Sequence, residues 1–360
     1  MKYPEKLKVG DTIGVTAPSC GMRDEIEILR FENAIKNLEQ LGYHVKTTPN
    51  CLTNFKGRSS YAEQRVKEFM ELYRNPEVKA IIFLGGGDFA CEMLEKLDFD
   101  EISKLPPKWI QGYSDCTNLT LTFNILADIA SIYGPTFKSY GMKNLHPSLL
   151  NAIRLMQKEE FVQESYEKCE KVDKDGEETE EIDPYYEYNL VEKVSWKNLK
   201  QEEEIHFQGR AIGGCIDLIR EVIIGSNFDK LKEYCEKYKE DGIIWILEEY
   251  EGNTPEVYRT LWRMKNMGLF EHCKGIVFGR PLMIREDYEI SFEEAVYDSI
   301  SDLDIPIILD ADIGHLAPQI PIVTGSILEV TSKNGKGSIK NLYIFWVFLL
   351  CVLTFLTLNI

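Results

Sequence analysis

Apolar runs alternate with amphipathic stretches through the first half of the chain. Thr12–Ala17 (TIGVTA) is a short apolar run that stops at Pro18-Ser19, the pattern of a strand entering a loop. Ile28, Phe31, Ile35 and Leu38 recur at helical spacing across residues 25–41, with Gly42 at the C-terminal stop. Tyr43–Thr47 predicts the next strand. Ser60 and Glu63 have capping-box spacing ahead of the stripe Val66, Phe69, Met70 and Tyr73. Val78–Leu84 predicts a buried strand running into Gly85-Gly86-Gly87. Trp109–Gly112 predicts another, followed by Ser114 and a helical stretch over Thr117–Ala130. This alternation predicts an α/β fold whose N-terminal domain is a parallel sheet with helices on both faces.

The pattern lapses between residues 158 and 205. From Glu159 to Glu187 there are 13 acids against 3 lysines and little apolar periodicity, as in a solvated linker or insertion. It resumes at Gly209. Ile243–Leu247, Gly275–Phe278, Ile305–Leu309 and Val323–Val330 predict strands, and Thr260–Met267 a helix, giving a second, barrel-like mixed α/β domain. The expected organisation is an N-terminal domain over 1–157, an acidic segment over 158–205, a C-terminal domain over 206–335 and a hydrophobic tail over 341–360. The uncharged run 342–358 follows Lys333, Lys336 and Lys340. It reads either as a tail anchor with a basic flank or as a last strand plus an extension.

Composition narrows the function. With 360 residues and 44% apolar positions the chain can build a large core. Its 41 basic against 59 acidic residues give a charge of −18, which disfavours nucleic acid as a partner. The 9 cysteines include no C-x-x-C pair and avoid histidine clusters. Neither a disulfide framework nor a metal site is expected. Free thiols and the missing signal-peptide pattern point to the cytoplasm.

The chemistry concentrates at Gly112-Tyr113-Ser114-Asp115. A strand that turns at once into a helix lifts the Ser114 hydroxyl onto a sharp turn, where the Asp115 N–H can face a developing oxyanion. Cys116 stands where a G-x-S-x-G motif has its second glycine, and Ser114 and Asp115 could equally be helix caps. Gly85–Gly87 reads as an anion nest or a tight turn. Among five histidines, His315 lies in a turn-rich loop directly after a strand and is the best-placed base. Glu248, Glu249 and Glu251 all stand at the end of an apolar strand, and spacing alone does not choose among them.

Several fragments, in order, resemble the S66 serine peptidases, the LD-carboxypeptidases and microcin C self-immunity proteins. They are Gly10–Ser19, Gly85-Gly86-Gly87, Gly112–Asp115, Gly209–Cys215, Leu247-Glu248, Gly275–Arg280 and the loop from Asp312 through His315, Pro318 and Pro321 to Gly325. The resemblance implies a Ser–Glu–His triad of Ser114, Glu248 and His315. It places the oxyanion donors at the backbone of Asp115 and Gly86, and the site at the junction of two domains. Gly85, Gly87, Arg280 and Lys138 become candidate substrate contacts. The resemblance implies a cofactor-free homodimer acting on a small peptide-like substrate with a free carboxylate or a nucleotide-like group. The acidic segment, Trp196–Leu199 and Gly213-Gly214-Cys215 look closer to the microcin-immunity branch. A two-domain small-anion binding protein using the same cleft is the non-enzymatic alternative.

Overall fold

The computed structural model describes residues 1–171 and 183–343. Its first sheet has six strands in the order Ile322–Thr324, Ser131–Tyr133, Trp109–Gly112, Val78–Phe83, Thr12–Thr16 and His44–Thr47. The five from the N-terminal half pair in parallel. Ile322–Thr324 arrives from the far end of the chain and completes the edge antiparallel to Ser131–Tyr133. Val78, Ala80, Ile81, Ile82 and Phe83 are fully buried, as a central parallel strand requires when helices cover both faces.

Eight strands form the second sheet, in the order Glu160–Glu164, Lys336–Leu342, Ile327–Lys333, Glu204–Cys215, Ile243–Glu248, Cys273–Gly279, Ile307–Ala311 and Lys197–Asn198. The run from Glu204–Cys215 to Ile307–Ala311 is parallel and the outer pairings are antiparallel. The fold is therefore mixed α/β in two sheets, mostly parallel in front and mixed behind. Both ends of the acidic segment are built into it, since Glu160–Glu164 and Lys197–Asn198 are the two edge strands. Charged side chains on such edges discourage pairing with another chain.

The helix Thr117–Ala127 joins the two halves. Its Leu119, Leu121 and Phe123 share one apolar cluster with Phe69 and Ile110 in front and Ile212, Ile216 and Trp245 behind. Thr117, Asn118, Thr120, Thr122 and Asn124 are buried as well, so the helix is enclosed on nearly every side and its N-terminus is fixed at the seam between the sheets.

Four expected elements shift. The strand expected over Val323–Val330 is two, Ile322–Thr324 in the front sheet and Ile327–Lys333 in the rear one, with Gly325 at φ +86° turning the chain between them. The helix expected to start at Ser60 begins at Ala62 with Tyr61 at the N-cap and no side-chain cap. Glu63 is thus too early in the helix to reach back, and its carboxylate pairs with Lys96 at 3.2 Å. The helix expected to run to Ala130 stops at Ala127, where Asp128 turns left-handed at φ +60° and frees Ser131–Tyr133 to become a strand. The helix expected from Thr260 already begins at Thr254, behind a complete Asn253–Glu256 capping box with Pro255 in the first turn. Of the apolar run 342–358, Leu342 ends a strand and Tyr343 is buried, donating to Leu155 O at 2.8 Å. The remainder lies outside the described residues. Among the described residues no helix is long and apolar enough to cross a membrane.

Candidate active site

The turn after Trp109–Gly112 is sharp for steric reasons. A Cβ on Gly112 would sit 2.7 Å from Cys116 Cβ and 2.9 Å from Phe83 Cδ2. Ser114 then adopts φ +61°, a left-handed conformation that costs a non-glycine residue roughly 1–2 kcal/mol. Strain of this kind persists only where the surroundings enforce it. Here Asp115 does so. Fully buried, it accepts from Ser19 Oγ at 2.5 Å, Ala90 N at 2.8 Å and Asn118 Nδ2 at 2.8 Å. Burial pushes its carboxyl up to about 6 despite those donors. Cys116, in the place of a motif glycine, donates its thiol to Gly85 O at 3.3 Å and ties this turn to the glycine turn.

Gly85–Gly87 faces Ser114 directly. A Cβ on Gly86 would lie 3.0 Å from Ser114 Oγ and 3.7 Å from Asp115 N. Gly87, at φ +143°, lies against Ser19 and Cys20. The glycine turn thus borders the Ser114 hydroxyl.

The opposite wall comes from the second sheet. Glu248 ends the strand Ile243–Glu248 and is fully buried. Its Oε2 is 2.9 Å from His315 Nδ1, and its Oε1 accepts from the Tyr133 hydroxyl. Two glycines clear the space: a Cβ on Gly314 would be 2.6 Å from Glu248 Oε2, and one on Gly279 would be 3.0 Å from Glu248 Cβ. The His315 ring stacks on Tyr250 at 4.3 Å and meets Tyr113 edge-on at 4.9 Å. Its Nε2 is buried without a hydrogen-bond partner. With Nδ1–H donated to the carboxylate, Nε2 is the free acceptor.

Ser114 and Tyr250 line one cleft of about 550 Å³. A larger groove of about 690 Å³, lined by Phe55, Arg58, Tyr61, Glu92 and Phe228, contains none of Ser114, Glu248 and His315. Of the two, only the smaller cleft reaches one of these residues, Ser114, and Tyr250 on its wall carries the stacked His315 ring. Among the described residues no cluster of His, Cys, Asp and Glu could hold a metal, and every cysteine is a free thiol.

Comparison with known proteins bears directly on this arrangement. The LD-carboxypeptidase N-terminal domain of peptidase family S66 matches residues 13–134, and its C-terminal domain matches residues 208–330. The chain belongs to the S66 peptidase family. A probable murein peptide carboxypeptidase of Bacillus subtilis is 24% identical over 342 residues, 94% of each chain. The microcin C7 self-immunity protein MccF of Escherichia coli is 26% identical over 358 residues, 94% of this chain and 95% of that one. Among solved structures, an MccF-like protein from Bacillus anthracis has a TM-score of 0.77 at 25% identity, covering 96% of this chain and 100% of that one. A muramoyltetrapeptide carboxypeptidase from Oxalobacter formigenes has a TM-score of 0.70 at 21% identity, covering 92% and 99%.

Within this S66 chain the two basic candidates are engaged elsewhere. Arg280 is buried, with Nη1 2.7 Å from Asp312 Oδ1 and Nη2 donating to Leu316 O and Pro318 O at 3.3 Å. Asp312 also accepts from Trp196 Nε1 at 2.9 Å. Arg280 thus braces the histidine loop rather than reaching into the cleft. Lys138 lies beside Gly85 but pairs with Glu27 at 2.7 Å. Against the opposing effect of burial, donation from Arg23 and Lys138 holds Glu27 down at about 2. The charged groups lining the cleft are mostly acids, Asp88, Asp217, Glu221, Glu251 and Glu256, beside Arg220 and Arg285.

The other acids and histidines separate cleanly. Glu249 is buried against Arg220 at 3.5 Å and Glu251 is exposed at the rim. His44 is exposed, His146 caps its helix through Ser148, His206 meets Thr331 and His272 meets Glu236. Sequence reasoning missed Tyr133, because its three-residue strand is too short to stand out after the helix expected to run to Ala130. The signal was the β-rich Ser-Ile-Tyr following an Asp that can adopt the left-handed conformation.

Proposed function

We propose that the protein is a serine-type amidohydrolase that cleaves an amide bond in a small peptide-like substrate. The observation that carries this reading is the preformed His315–Glu248 couple, whose buried, unpartnered Nε2 belongs to an imidazole held between Tyr113, the residue before the strained Ser114 turn, and Tyr250, which lines the Ser114 cleft. Ser114 Oγ attacks the amide carbonyl and its proton passes to His315 Nε2. The resulting oxyanion faces the backbone N–H groups of Asp115 and Gly86. Glu248 stabilises the imidazolium through Nδ1–H. As the C–N bond breaks, His315 returns the proton to the leaving amine. Water, deprotonated by His315, then hydrolyses the serine ester and restores the hydroxyl. The Nε2–Oγ hydrogen bond is not made in the structure. Such bonds commonly tighten only when substrate binds.

Two substrate chemistries fit the relatives: a muropeptide tetrapeptide losing its terminal residue, and an aminoacyl group on a sulfamoyl nucleoside. The test assays both side by side, with Ser114→Ala as control. Turnover of one, with the variant down by several orders of magnitude, supports the reading. Full activity in Ser114→Ala refutes it. Tight binding of either compound with no turnover by the wild type would favour the small-anion binding protein.

A further inference from the structure

Tyr133 belongs to the front sheet, yet its hydroxyl is bonded to the carboxylate of the rear strand. The residue is fully buried and pairs in register with Gly112, two positions before Ser114. Its phenol donates to Glu248 Oε1, and the Ser114 backbone lies beside the same phenol oxygen. The ring has a made-to-measure slot. Gly214, at φ +143°, lies against it, and a Cβ there would come within 3.1 Å of Tyr133 Cε2 and 2.8 Å of Thr117 Cγ2. That contact gives the Gly213-Gly214-Cys215 motif a physical role.

We infer that Tyr133 is a positioning residue for hydrolysis: by holding Glu248 Oε1 from the opposite sheet, it leaves Oε2 aimed at His315 Nδ1 and fixes the imidazole relative to Ser114. This rests on the triad proposed above. Glu248 has two oxygens and two donors in this structure, Tyr133 on one and His315 on the other. A buried carboxylate deprived of one donor turns or recruits another, because an unsatisfied buried charge is costly. Either response moves the imidazole. Tyr113 and Tyr250 contact His315 but make no hydrogen bond to the carboxylate. Cys215 donates to Asp217 at 3.1 Å, and Glu249 faces Arg220. These groups surround the couple without replacing the phenol.

The direction of the effect follows from the donor. Taking that donor away concentrates charge on the carboxylate and favours the protonated imidazole beside it in the variant. In Tyr133→Phe we expect kcat/KM to fall about 10- to 100-fold with KM changed less than about 3-fold, and the acidic limb to rise by about half a pH unit or more. The histidine-labelled protein should show the same upward move in the His315 ring titration, read by NMR without substrate. Tyr140→Phe, which removes an equally buried phenol bonded to Gln111 at 3.0 Å, controls for simple loss of packing. A purely structural Tyr133 would lower thermal stability and leave both pH readouts in place, and that result overturns the inference. Should Tyr133→Phe not fold, fluorotyrosine at position 133 provides a stronger donor, expected to move the His315 titration down. An unmoved midpoint is equally fatal. Ser114→Ala, run in parallel, separates the two proposals. Activity surviving in it refutes the triad, whereas a dead Ser114→Ala beside an unperturbed Tyr133→Phe refutes only the role of Tyr133.

Discussion

Gly86→Ala adds one methyl group at the centre of the proposed chemistry and almost nowhere else. Gly86 does not occupy the left-handed region, so alanine fits its backbone, and the nearest neighbours of its new Cβ would be Ser114 Oγ at 3.0 Å, Ser114 Cβ at 3.1 Å and Asp115 N at 3.7 Å. Comfortable heavy-atom contacts lie at about 3.5–4.0 Å, so the hydroxyl must withdraw by about half an ångström. The methyl also fills the space where an oxyanion would sit about 2.7–3.1 Å from its donors. Losing one such donor costs roughly 10²–10³ in kcat, about 2.7–4 kcal/mol of transition-state stabilisation, and a displaced nucleophile adds to that. The expected result is a fall of about 1,000-fold in kcat/KM. The melting temperature should stay within about 2 °C of wild type, because alanine restricts the unfolded chain and its closest new contact is the end of the Ser114 side chain. Steady-state kinetics on the cleaved substrate, paired with thermal unfolding, reads both quantities. Activity within about 5-fold of wild type, in a folded variant, would refute the placement of the oxyanion between Gly86 and Asp115.

Three further outcomes follow from the same geometry. Ser114→Gly should be more stable than Ser114→Ala by about 1 kcal/mol in denaturant titration, because only glycine relieves the left-handed turn, while both are inactive. Arg280→Ala should cost roughly 3–5 kcal/mol, since it strands the buried Asp312 carboxylate. Arg280→Lys should rescue little, because one ammonium cannot reproduce the two-sided guanidinium contacts, and a raised KM with unchanged stability would restore Arg280 as a substrate contact. Asp115 is raised from 3.8 to about 6, so the folded protein holds that proton more tightly than the unfolded chain. Its contribution to stability is therefore full below 3.8 and declines as pH rises through about 6, a span worth roughly 3 kcal/mol. Asp115→Asn should flatten that part of the stability–pH curve. Asn118, whose Oδ1 is buried without a partner, can flip to accept from the new amide. An unchanged slope would show that Asp115 is not its source.

The parallel strands were legible because Ile243–Leu247 is apolar without interruption and Val78–Leu84 is broken only by Lys79, close to what burial on both faces demands. The Ser114 turn was legible as a strand, a glycine and a helix in immediate succession. Other features depend on partners distant in sequence. Choosing Glu248 over Glu249 by spacing was impossible, since the two are adjacent and equally buried; what separates them is the approach of Gly279, Gly314 and His315 from elsewhere. Arg280 looked like a free cation because its partner Asp312 lies 32 positions away. Ser60 and Glu63 had correct local spacing, but Lys96 claimed the glutamate and the helix began later. The acidic segment lacked periodicity because its ends are short edge strands with exposed charged positions.

The crossing of Ile322–Thr324 into the front sheet bears on how the molecule can be divided. Severed between its two halves, the chain would leave Ser131–Tyr133 with bare amides and carbonyls along one side, an open template for any passing strand. A front fragment made alone should therefore self-associate. Supplied together with the rear fragment, it should recover both its missing border and its enzymatic competence, as two pieces of a single cooperative unit.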